Sequence, residues 1–162
     1  MHDWKEDWIN RAPHSKERHK KVIKRLSKHK SKKKVDSAAG HIHHQVFSKV
    51  DCLECANCCT SIPPLLTETD IKRIAKSLGM NAGEFKTQYV IFDDDDDMVM
   101  NETPCPFLGE GNKCSIYEIR PKACRQYPHT NHEFSKHYDL HLANAQYCPA
   151  VFHILERLEK LL

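Results

Sequence analysis

No run in this chain approaches the roughly 18 apolar residues that a membrane helix requires. Its opening, MHDWKEDWIN, also lacks the apolar stretch of a secretory signal. These absences argue against a membrane span and against export, so the expected location is cytoplasmic, where thiols stay reduced. Large apolar side chains are scarce at the front as well. Leu, Ile, Val and Phe total 35, and only six of them fall in the first 45 residues. A modest core is therefore expected from residue 46 onward, with little core material before it.

Charge divides along the same line. Residues 1–49 carry 14 Lys and Arg against 5 Asp and Glu, while residues 50–162 carry 11 against 17. The overall +3 hides a basic front and an acidic remainder. Residues 16–34, KERHKKVIKRLSKHKSKKK, hold 11 Lys or Arg among 19 positions. Ser15 can cap a helix there, with Val22, Ile23 and Leu26 as a thin apolar stripe. The expectation is a basic, partly helical and largely solvated arm over residues 1–36, separable from a domain at 37–162. Any polyanion or acidic protein partner would be met through residues 16–34.

Further along, Ile42, Val46 and Val50 recur every fourth residue and predict a helix over 37–50. His41, His43 and His44 lie on it and read as surface polar groups. Thr67 with Asp70 predicts a capped helix at 68–78, with Ile71, Ile74, Ala75 and Leu78 on its apolar face and Gly79 ending it. Asn81 with Glu84 predicts a shorter helix near 82–88. Tyr89–Phe92 and Met98–Met100 read as strands flanking the acidic run Asp93–Asp97. That run fails the calcium-loop pattern: Met98 stands where Gly is needed and Pro104 where Glu is needed. A solvated hairpin turn is the expectation instead. Pro149 starts a last helix, with Val151, Ile154, Leu155, Leu158 and Leu162 facing the core.

Eight cysteines are the strongest signal. Four crowd into CLECANCC as Cys52, Cys55, Cys58 and Cys59, followed by Cys105, Cys114, Cys124 and Cys148. In a reducing compartment such a set reads as metal ligands rather than disulfides, because thiolates favour zinc, copper(I) or iron–sulfur clusters over hard ions. Cys52-x2-Cys55-x2-Cys58 matches the first three ligands of bacterial ferredoxins, but their closely following Cys-Pro is missing. The radical-type Cys-x3-Cys-x2-Cys spacing is absent, and His132-Glu133-x3-His137 is one residue too long for a zinc-protease helix. On an extended backbone Cys58 and Cys59 would point to opposite sides. That splits the sulfurs into Cys52, Cys55, Cys58 and Cys148 on one centre, and Cys59, Cys105, Cys114 and Cys124 on another. Rivals are one four-cysteine site, with the other thiols packed in the core, and one shared cluster. Pro121 starts a short helix carrying Cys124, and Cys148 caps the last one. Arg120 and Arg125 either offset thiolate charge or pair with carboxylates.

The segments CLECANCC, CPFLGEGNKCSIYEIRPKACRQYP and YCP resemble the CxxCxxCC, or YkgJ-type, cysteine-cluster family. The resemblance covers roughly residues 50–150 and all eight cysteines. It implies a zinc- or iron-chelating domain. Related clusters are associated with flagellin lysine methylases, but no cofactor fingerprint of a methyltransferase is present here.

The expected fold is mostly α with a short β-hairpin, a small irregular domain organised around a cysteine-bound metal centre. The expected function is chelation of zinc or iron, as single ions or an iron–sulfur cluster, with a structural, redox or regulatory role. The alternatives are a catalytic component, such as an iron–sulfur oxidoreductase or part of a protein-modifying enzyme, and an adaptor binding nucleic acid or an acidic partner through the basic arm.

Overall fold

The computed structural model describes residues 3–161. The chain is mostly helical with a two-stranded antiparallel hairpin, as expected. It forms two compact units, Met1–Cys52 with Pro128–Leu162, and Leu53–Tyr127.

The first unit is helical. α1 (Trp4–Ser27) is capped by Asp3, whose side chain accepts from the Lys5 and Glu6 amides. Ser15 is not a cap. It lies inside α1, buried, and its hydroxyl donates to the Arg11 carbonyl at 2.6 Å. Pro13 also lies inside the helix, where it deletes one backbone donor. Tertiary contacts hold the segment of helix before it. Trp8 Nε1 donates to the Ala145 carbonyl at 3.2 Å, and His153 Nε2 donates to the Trp4 carbonyl at 2.8 Å. α2 (Lys32–Phe47) is capped by Ser31 and buries Val35, Ala39, Ile42 and Val46. α8 (Tyr138–Asn144) and α9 (Pro149–Leu161) complete the unit. Val151, Ile154, Leu155 and Leu158 of α9 are buried as predicted, and Leu162 lies outside the described residues.

The front of the chain is therefore not a solvated arm. Val22, Ile23 and Leu26 join α2 and α9 in one apolar cluster. Buried Ala12, Ser15 and His19 widen a stripe that looked thin when only large apolar residues were counted. The remaining requirement is charge balance. Glu156 on α9 is buried, accepts from Arg11 and Arg18, and meets His19 Nε2 at 2.8 Å. Burial alone would raise the Glu156 pKa. The hydrogen bonds from His19 and Arg18, with the charges of Arg18 and Arg11, outweigh it and hold the carboxylate below its ordinary value.

The second unit contains α3 (Cys52–Cys55, beginning one residue before it), α4 (Asn57–Ser61), α5 (Glu68–Ser77), α6 (Ala82–Tyr89), strands β1 (Val90–Phe92) and β2 (Met98–Met100), and α7 (Lys122–Gln126). Both predicted capping boxes form, Thr67 with Asp70 and Asn81 with Glu84. Gly79 takes φ +73, as the end of α5 requires. Leu78 departs from expectation: it is the C-cap of α5 and 38% exposed. The hairpin pairs Val90 with Met100 and Phe92 with Met98. Its turn is the acidic run, where the Asp93 side chain accepts from the Asp95 and Asp97 amides. The core is small: Leu66, Ile71, Ile74, Ala75, Phe85, Met100, Phe107 and Ile116, with Cys105 and Cys114 packed against it.

Two outcomes follow for the first unit. Leu26→Ala should lower unfolding stability by about 2–5 kcal/mol in a urea titration, as for a buried leucine, whereas an arm position would lose under about 0.5 kcal/mol. His141 is fully buried, stacked on Phe134 at 3.9 Å, and its Nε2 donates to the Phe134 carbonyl. Burial, with the charges of His137 and His129, depresses its pKa to about 4. Unfolding lets it take a proton near pH 6.5, so its contribution is complete above that pH. It then falls as pH drops toward 4, by up to about 1.4 kcal/mol per unit. Urea midpoints at pH 7 and pH 5 should differ in that direction, and His141→Gln should narrow the difference.

Candidate metal centre

Among the described residues no two cysteines are joined in a disulfide. Cys52 and Cys148 belong to the first unit, and the other six to the second. Cys148 directly precedes Pro149, and its carbonyl accepts the Phe152 amide at 3.1 Å. Cys52 and Cys55 bracket the single turn of α3. Ala56 follows with φ +47, a left-handed break that starts α4 and sets Cys58 and Cys59 on its first turn.

The pair Cys58–Cys59 is thus helical and not extended, which removes the premise that the two must face opposite ways. Their side chains are hydrogen-bonded to each other, and that bond lowers the Cys59 pKa to about 7 against the opposing effect of burial.

The backbone then gathers three distant cysteines near Cys59. The Cys105 amide donates to the Cys59 carbonyl at 2.8 Å. Cys105 heads a Cys-Pro-Phe-Leu turn in which the Phe107 and Leu108 amides donate to its sulfur. The chain doubles back through Gly111 at φ +64 and Asn112 at φ +59. Leu108 and Cys114 pair as an antiparallel bridge, flanked by Gly109 N to Lys113 O at 2.7 Å and Ser115 N to Phe107 O at 2.8 Å. The Cys114 sulfur in turn accepts from the Ile116 amide. Amide donors of this kind stabilise thiolate over thiol.

Cys124 arrives on α7, which Pro121 caps rather than enters. Buried Asp70 accepts from the Lys122 amide at 3.1 Å and from Arg73 at 2.7 Å. Arg73 also donates to the Ile119 and Arg120 carbonyls. The Asp70–Arg73 pair therefore ties the Arg-Pro corner to α5. Asp70 was legible in the sequence only as a cap, and nothing in the one-dimensional pattern marked its second use. Burial would raise the Asp70 pKa, but the Thr67, Arg73 and Lys122 hydrogen bonds prevail and lower it.

The charge of Cys59 acts on Cys105, Cys114 and Cys124. Burial pushes the Cys124 thiol up to about 12, and the charges of Cys105, Cys59 and Cys114 add to it. Burial also raises Cys105 and Cys114, and the neighbouring sulfurs raise both further. Arg120 opposes this at Cys114 and Cys124. Its guanidinium lies 3.8 Å over the Tyr117 ring and donates to the Tyr117 carbonyl at 2.7 Å, while Arg125 donates to the Arg120 carbonyl. Among the described residues neither arginine pairs with a carboxylate, so Arg120 keeps its charge for the sulfurs.

Among the described residues no three Cys, His, Asp or Glu side chains are drawn into a finished ligand set. The chemistry of the donors nevertheless suits a soft or borderline cation: four sulfurs, amide donors to two of them, and a cation at the edge.

Comparison with known proteins bears on this cluster. The model of the CxxCxxCC family, described as "Putative zinc- or iron-chelating domain", matches residues 51–149. The chain belongs to the CxxCxxCC family. No curated protein and no solved structure matches it. The matched span runs from the residue before Cys52 to the residue after Cys148, so it takes in all eight cysteines of this CxxCxxCC domain and leaves out α1 and α2.

At neutral pH the raised thiols of Cys105, Cys114 and Cys124 carry protons that a bound cation must displace. Metal affinity should therefore rise with pH, by up to about a thousandfold per unit for these three displaced protons and more steeply below pH 7, where Cys59 also carries one, and weaken as pH falls. Competition with a chromophoric chelator at pH 6, 6.5 and 7 measures that slope.

Proposed function

We propose that this CxxCxxCC domain chelates zinc or iron through its cysteine thiolates, and that the cation has a structural or regulatory role in the second unit. Cys59, Cys105, Cys114 and Cys124 form the primary ligand set. One observation carries this assignment: Cys59, Cys105 and Cys114, up to 66 residues of sequence away, come close enough to Cys124 for their charges to add to the rise of its thiol pKa. Four like charges in a half-buried space repel, and a divalent cation removes that repulsion. Cys52, Cys55, Cys58 and Cys148 are proposed as ligands on the chemistry of their thiols and their place in the family's span. Reduced thiols fit a cytoplasmic setting.

The two metals differ in what they would supply. Zinc would tie the turns of Cys105 and Cys114 to α4 and α7 without redox chemistry. Iron, alone or as an iron–sulfur cluster, would add electron transfer and colour.

The second unit has a small core, so metal binding should contribute much of its stability. Elemental analysis of protein purified without oxygen should find zinc or iron. Cys114→Ser and Cys124→Ser should each remove the metal of the primary set, and a visible spectrum separates iron–sulfur content from zinc. The same assay on Cys52→Ser, Cys55→Ser, Cys58→Ser and Cys148→Ser counts the further ligands. Full metal content in Cys124→Ser would sink the primary set. An unchanged melting temperature after complete metal removal would sink the structural role.

A further inference from the structure

The positive side chains of α1 fall into two groups. Arg11 and Arg18 are held by Glu156, and Arg18 also reaches Glu159 at 3.2 Å. Arg25 donates to the Glu159 carbonyl at 2.6 Å. The arginines are thus consumed within the first unit. Six of the lysines are not. Lys16, Lys21, Lys24 and Lys28 along α1 and its end, with Lys30 and Lys33 in the elbow into α2, are all exposed. Among the described residues none of these six ammonium groups makes a hydrogen bond or close ion pair. Glu17 is the sole acid within residues 16–34. It is engaged by Lys20 at 2.6 Å, and the charges of Lys16 and Lys21 also act on it.

This arrangement is internally costly. Lys16, Lys20, Lys24 and Lys28 stand four residues apart, where like charges on a helix repel. The row is about 18 Å long at the helical rise, roughly half a turn of duplex nucleic acid. The chemistry of the face narrows its partner. Val22, Ile23 and Leu26 turn inward and are buried, so residues 16–34 offer no apolar edge to insert into a lipid surface. The segment contains no Phe, Tyr or Trp on which an unpaired base could stack, and its His19 is buried. What remains is a row of flexible point charges suited to phosphates at regular spacing.

We infer that the lysine face of α1 and the α1–α2 elbow binds the phosphate backbone of double-stranded nucleic acid without reading its sequence. The face lies outside the matched CxxCxxCC span, so the inference does not depend on the metal proposal.

The test uses the full chain and a fluorescent DNA duplex of about 20 base pairs, titrated at rising sodium chloride. Binding should weaken linearly on logarithmic axes, and every phosphate neutralised by a lysine should add about 0.9 to the steepness of the slope. The quadruple variant Lys21→Gln, Lys24→Gln, Lys28→Gln, Lys30→Gln should lower the slope by up to about 3.6 and weaken binding at least about tenfold near 0.1 M salt. Circular dichroism and metal content should stay unchanged in it. A control with the same change of charge elsewhere, Lys49→Gln, Lys72→Gln, Lys76→Gln, Lys160→Gln, should keep the original slope. An unchanged slope in the first variant, or an equal weakening in the control, would overturn the inference. So would tighter binding to anionic lipid vesicles, to polyglutamate or to the single strand than to the duplex at the same salt.

Discussion

The second unit is organised by the crowding of sulfur. Burial raises the cost of ionising Cys105, Cys114 and Cys124, and the charge of Cys59 adds to that cost at all three. Thiols in this position keep their protons or share a cation. Amides of Phe107, Leu108 and Ile116 point at sulfur, Arg120 brings an uncommitted positive charge, and the Cys105 amide anchors its loop to the Cys59 carbonyl.

Holding such a cluster requires rigidity from a unit with few apolar residues to spend. The rigidity comes from hydrogen bonds at corners. Asp70 closes the cap of α5 and, with the same carboxylate, receives the first amide of α7. Arg73 fastens the carbonyls of Ile119 and Arg120. One helix terminus therefore fixes both its own start and the helix that carries Cys124. The short hairpin and the Phe85, Tyr89 and Phe107 ring contacts fill the space behind the cysteine turns.

The first unit solves a different problem, a core built beside one of the most basic stretches of the chain. Its solution is a buried carboxylate. Glu156 collects Arg11, Arg18 and His19 at the face where α1 meets α9. The burial that penalises a lone charge strengthens a paired one. Lysine, with its strongly hydrated ammonium, is left to the solvent side. The exposed row of like charge on α1 is the complement of the neutralised row beneath it.

Much of this was readable along the chain. Capping boxes at Thr67 and Asn81, the hairpin around Asp93–Asp97, the last helix at Pro149 and the family signature are local patterns, and local patterns depend on neighbours in sequence. The α1 packing was not readable in this way. Its stripe is completed by Ala12, Ser15 and His19, and its charge is balanced by Glu156, 138 residues beyond Arg18. Cys58 and Cys59 were visible as a pair, but their helical setting follows from the left-handed turn at Ala56, which no residue type announced. The amino-acid sequence by itself determined the eight soft donors, their spacing and the separation of charge between the two stretches. Only the tertiary structure decided which sulfurs raise a neighbour's pKa and which cations are already paired. Both depend on through-space distance between residues far apart in the chain, and Coulomb and hydrogen-bond energies follow that distance rather than sequence separation.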